Sequence, residues 1–144
     1  MAQKINYNQS GSQVLAIATR TTNFSTTSTT AVAVPELTAT VTVPPSGRIR
    51  VTVTGDSFEN NTTNSYSRII IWDGAVGSGT QIGRATSRAS APNQSYPLNV
   101  VSAIQTLTPG TTKTYNVSFQ SLVSGTSLMY VDAGIVIQMV VEAV

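Results

Sequence analysis

Apolar and polar residues alternate with a period of two through most of the chain, and no window shows the three-to-four spacing of an amphipathic helix. Leu37, Ala39, Val41 and Val43 alternate with Thr38, Thr40 and Thr42, the pattern of a strand with one buried and one wet face. Pro44-Pro45-Ser46-Gly47 interrupts it. Ile49, Val51 and Val53 then alternate with Arg48, Arg50, Thr52 and Thr54, so the two segments are predicted to be neighbours across a tight polar turn. A polar loop is predicted over 55–65. The run Ile69-Ile70-Ile71-Trp72, within a strand at 66–72, is predicted to be buried on both faces before the Asp73-Gly74 turn.

Further along, 81–85 predicts a short strand, 87–94 a polar loop, and 98–107 a strand that stops at Leu107-Thr108-Pro109-Gly110. Tyr115, Val117 and Phe119 alternate with Thr114, Asn116 and Ser118, and Ser124-Gly125-Thr126 reverses the chain. With 13–19, 29–34 and the nearly all-apolar 135–141 there are eight to nine strands, separated by regular turn signals. The expected fold is all-β, a jelly-roll-like sandwich or barrel of about eight strands. Residues 13–144 would form one such domain, behind an extended N-terminal arm at 1–12. The last strand is too apolar to be an exposed edge, so Ile135, Ile137, Met139 and Val141 are assigned to the sandwich core or a subunit interface. The arm, with Lys4, Ile5 and Tyr7, is expected to order only against a neighbour.

Composition narrows the chemistry. The chain has no His and no Cys, and only six carboxylates, which removes imidazole and thiolate catalysis and thiolate metal sites. Its many serines have no histidine partner and no nucleophile elbow, so an enzyme is not expected. The 10% charged fraction compares with about 25% in typical domains. Eight Lys and Arg give a net charge of +2 without a basic run, which is no nucleic-acid footprint. Arg48, Arg50, Arg68, Arg84 and Arg88 have few carboxylates near them and read either as solvated strand faces or as a surface for an acidic partner. No apolar stretch is long enough to span a bilayer, and Met1 to Asn6 lacks an export signal's apolar core, so cytoplasmic synthesis without export is expected.

Within 55–65, Asp56, Glu59 and Asn61 form a possible ligand loop of oxygen donors, although no calcium-loop spacing is present and a solvated loop is the alternative. No cofactor is called for. Asp73 is read as stabilising its own turn. Trp72 is either a core residue or a sugar-stacking platform, and Tyr96, Tyr115 and Tyr130 are packing residues with one wet end.

The stretch from Thr38 through Pro44-Pro45-Ser46-Gly47 to Val53, the Ile71-Trp72-Asp73-Gly74 strand end, Leu107-Thr108-Pro109-Gly110-Thr111 before a Tyr-containing strand, and the apolar strand ending near Glu142 carry a resemblance. Over about residues 28–144 the chain resembles small jelly-roll structural proteins of tailed bacteriophages, related in shape to the tumour-necrosis-factor and complement-globular-head fold. The resemblance implies a virion protein, assembled in the host cytoplasm: a homotrimer that decorates the capsid by binding the major capsid protein or another virion protein. The alternative is a tail or fibre module that binds a receptor or carbohydrate through loops 55–65 and 87–94.

Overall fold

The computed structural model describes residues 12–132 and 134–144. Among these residues eleven strands build two antiparallel sheets facing each other across one apolar core. In the first sheet β1 (Gln13–Arg20) pairs with β11 (Ile137–Ala143), which pairs with β4 (Arg48–Asn60). On the other side of β4 lie β7 (Tyr96–Val101) and β8 (Gln105–Thr106). β10 (Ser127–Tyr130) continues the β11 side of β4 and pairs with β2 (Phe24–Thr26). The second sheet runs in the order β3 (Val32–Thr42), β9 (Thr112–Ser121), β5 (Tyr66–Asp73), β6 (Thr80–Arg88). The chain passes repeatedly from one sheet to the other, and this is a jelly-roll sandwich.

The alternating apolar rows build the core. Leu37, Ile49, Val51, Val53, Val117, Phe119, Ile137, Met139 and Val141 are fully buried. At about 25 cal/mol per Å² of apolar surface removed from water, rows of this kind supply the main stabilising term. Phe58, Phe119 and Phe24 stack in tilted or edge-on contacts at centroid distances of 6.4 Å.

Several sequence expectations are corrected. The segments around Val41 and Val51 belong to opposite sheets and do not pair. Pro44 and Pro45 have no N–H to continue a ladder, and Gly47, at φ 65°, closes a turn by donating to the Pro44 carbonyl at 2.9 Å. A Cβ on Gly47 would sit 2.7 Å from the Leu107 carbonyl, so the crossing needs glycine on both counts. Both apolar rows thus face inward from opposite layers.

The first half of the expected 55–65 loop is strand. β4 continues to Asn60 because a register shift between Thr54 and Ser57 breaks the alternation without breaking the pairing, and Phe58 lies opposite both Met129 and Tyr96. The 98–107 strand divides at Ser102, whose Oγ accepts from the Val51 N–H at 2.9 Å in place of a backbone carbonyl. The last strand begins at Ile137. Ile135 is 47% exposed, outside the core, because its N–H closes a turn onto the Asp132 carbonyl before the ladder starts. Ile137, Met139 and Val141 are buried on a strand flanked on both sides, by β1 and β4. Lys4, Ile5 and Tyr7 lie outside the described residues.

Candidate functional site

The outward side chains of the first sheet line up across four strands. Ile17 on β1 pairs with Val140 on β11, Val140 with Thr52 on β4, and Thr52 with Val101 on β7. Directly opposed residues share a face, so these four form one transverse row. Ile17 and Val101, at its two ends, are 55% and 51% exposed. A parallel row sets Val14, 50% exposed, beside the Arg50–Glu142 ion pair at 2.9 Å. On the other flank Thr19, Gln138, Thr54 and Asn99 are all uncharged. Just past β7, Ile104 is 46% exposed. Of the six large apolar side chains exposed among the described residues, four thus sit at the two edges of one sheet. Exposed apolar side chains gathered on one sheet in this way are the candidate interaction surface.

The candidate ligand residues are placed differently from the sequence expectation. Asp56 is on β4 and accepts from the Ser57 hydroxyl at 3.0 Å. Glu59, 4% exposed, accepts from the Tyr130 hydroxyl at 2.6 Å and the Ser95 hydroxyl at 3.0 Å. Asn61 accepts from the Thr126 N–H at 2.8 Å. Each side chain serves its own local contact, and among the described residues no group of three acidic, His or Cys side chains could hold a metal ion. The hydrogen bond to Glu59 is the main reason the Tyr130 phenol is pushed up to about 12, with burial and the Glu59 charge adding to it.

Asp73 does not serve its turn. Its Oδ2 takes Lys113 Nζ at 2.8 Å and Gln105 Nε2 at 3.1 Å, which ties β5 to β8 and β9. Tyr115 beside it is fully buried, and among the described residues its hydroxyl has no partner. Burial first, and the Asp73 charge second, push this phenol to about 12. Trp72 is 5% exposed and donates from Nε1 to Ser118 Oγ at 2.7 Å, so it offers no stacking platform.

A polar plug that sequence reasoning missed closes one end of the sandwich. Fully buried Asn60 donates to Ser121 Oγ at 3.1 Å and Ser127 Oγ at 3.1 Å, and its Oδ1 accepts from the Thr62 N–H at 2.9 Å. Ser67 donates to the Glu59 carbonyl at 2.7 Å. The only signal was the density of serines beside the 61–65 and 122–126 turns.

No family model and no curated protein matches the chain. Solved structures that it resembles include the Eiger TNF of S. frugiperda, at 12% identity and TM-score 0.41, covering 89% of this chain and 92% of that one. Others are chains of infectious bursal disease virus. The Gx strain chain matches at 11% identity and TM-score 0.38, covering 91% of this chain and 40% of that one. The chain of the T13 viral particle matches at 13% identity and TM-score 0.38, covering 91% and 38%. This chain spans about two fifths of the length of those viral chains.

Proposed function

We propose that the protein is a non-enzymatic structural protein of a virion, a homotrimer that decorates the capsid of a tailed phage and whose subunits meet through the two apolar edges of the first sheet. The observation that carries this reading is the in-register row Ile17, Val140, Thr52, Val101. Its apolar ends lie on opposite edges of one sheet. A two-fold contact would need one self-complementary patch, whereas two separate apolar edges suit a head-to-tail ring in which the β7 edge of one copy meets the β1 edge of the next. A closure at three is what the resemblance to small phage jelly-roll proteins implies.

The internal chemistry supports a structural role. Glu59, Asp73 and Glu142 are committed to internal partners, and Trp72 is packed away. The double variant Ile17→Asp/Val101→Asp tests the interface. It is expected to reduce the solution mass to a single chain while Trp72 fluorescence remains that of a buried indole. A variant that keeps the wild-type mass would overturn this choice of surface.

A further inference from the structure

The outward face of the β5–β6 hairpin, on the second sheet, carries three cations and no anion. Among the described residues Arg20, Arg50 and Lys113 each hold a carboxylate, at 3.8, 2.9 and 2.8 Å. Of the four other arginines, which form no ion pair among the described residues, Arg68, Arg84 and Arg88 share this one face. Arg84 lies opposite Ile70, Arg88 opposite Tyr66, and Arg68 opposite Thr86, midway between the other two. The four-residue step from Arg84 to Arg88 spans about 13 Å of strand. Thr86, between them, points the same way, whereas Ser87 is buried.

Neutral groups hold these side chains out. Arg68 Nε donates to Thr86 Oγ1 at 3.3 Å, and Arg88 Nη2 donates to Asn64 Oδ1 at 3.4 Å with its guanidinium 5.8 Å from the Tyr66 ring centre. None of these partners cancels charge. β6 contains no carboxylate, and the one on β5, Asp73, belongs to the inward row and is taken by Lys113.

Cations on an edge strand can serve simply to block strand addition. Here the N-terminal half of that edge is already covered, since the Ala103 N–H donates to the Ile82 carbonyl at 3.0 Å and Gly83 abuts the Ser102 backbone. The arginines also stand on the sheet face, which a blocking role does not require.

We infer that this face docks on an acidic protein surface, with carboxylates spaced to meet guanidiniums about 13 Å apart. Three charges are few for a phosphate backbone, so a protein surface is the favoured class. The inference deepens the proposed function: one sheet joins the subunits, and the other faces the shell. Only the identification of the partner as a shell component rests on that reading.

The test uses the full chain and poly-L-glutamate as probe, at low salt and at 0.3 M salt. Wild type is expected to bind, with affinity falling as salt rises. Arg68→Gln/Arg84→Gln/Arg88→Gln should bind at least tenfold more weakly at unchanged melting temperature and solution mass, while Arg48→Gln binds as wild type. Equal binding by the triple variant would overturn the inference, as would tighter wild-type binding to single-stranded DNA or to a polyuronate of matched charge. A triple variant that aggregates yet still binds would assign the arginines to edge protection instead. A monomeric wild type that binds the probe through these arginines would overturn the trimer and leave the docking face standing.

Discussion

The Tyr115 phenol is fully buried, yet its hydroxyl meets no partner among the described residues, so the side chain bears the cost of desolvating an O–H with nothing in return. Replacing it with Phe keeps the ring and removes the stranded group. Tyr115→Phe is therefore expected to leave stability unchanged or raise it by about 1 kcal/mol in a denaturant titration. Asn60 is the opposite case, because every part of its amide is used. Asn60→Leu leaves Ser121, Ser127 and the Thr62 N–H short of their partner, and is expected to lower stability by about 2–4 kcal/mol. The two phenols pushed to about 12 also set a pH response. Unfolded tyrosines ionise near pH 10, while Tyr115 and Tyr130 hold their protons in the fold. The stabilisation is thus complete below about pH 10 and lost as pH rises to about 12. At about 1.4 kcal/mol per pKa unit, Tyr115 accounts for on the order of 2–3 kcal/mol of that loss, and half-buried Tyr130 for less, because solvent screens it. Melting temperatures measured from pH 8 to 12 should be flat at first and then fall. A fall beginning below pH 9 would contradict the assignment.

Elements show where pattern was sufficient and where it was not. Strands β3, β5 and β9 follow directly from alternation or an all-apolar run, since each fills a core row that no neighbouring residue could fill instead. β10 was invisible, because a four-residue strand is too short to show a period, and only its pairing with β4 and β2 gives it shape. The layer change between β3 and β4 was illegible for a related reason. A tight turn looks the same in sequence whether it joins strands of one sheet or of two. The apolar row of the first sheet was equally hidden, since its members come from four strands far apart in the chain and only register brings them together. Asp56, Glu59 and Asn61 looked like a ligand loop because polar residues crowd there, when Glu59 in fact sits on a bulged strand and points at Tyr130. The β5–β6 connection adds a test. A Cβ on Gly79 would lie 2.5 Å from the Asp73 carbonyl and 2.8 Å from that of Ala75, both rigid backbone. Gly79→Ala is expected to cost about 2–3 kcal/mol by forcing the hairpin turn open, seen as a lower melting temperature.

At the scale of the whole molecule, the two sheets present different surfaces on a chain with very few charges. One ends in apolar edges and pairs Arg50 with Glu142 on its outer face, and the other holds three of the four arginines that lack an ion-pair partner among the described residues. In the proposed trimer the first surface is buried against copies of the chain, and the stability gained that way grows with concentration. Docking through the second surface, as inferred above, would act through charge and weaken with salt. The two are separable, so subunit association should persist at salt levels that abolish acidic-partner binding. The most direct test of the central claim is the solution mass of the wild-type chain, measured by light scattering over a hundredfold concentration range. The account predicts a plateau at three times the 15.1 kDa chain mass, insensitive to salt. A single-chain mass throughout that range would contradict it.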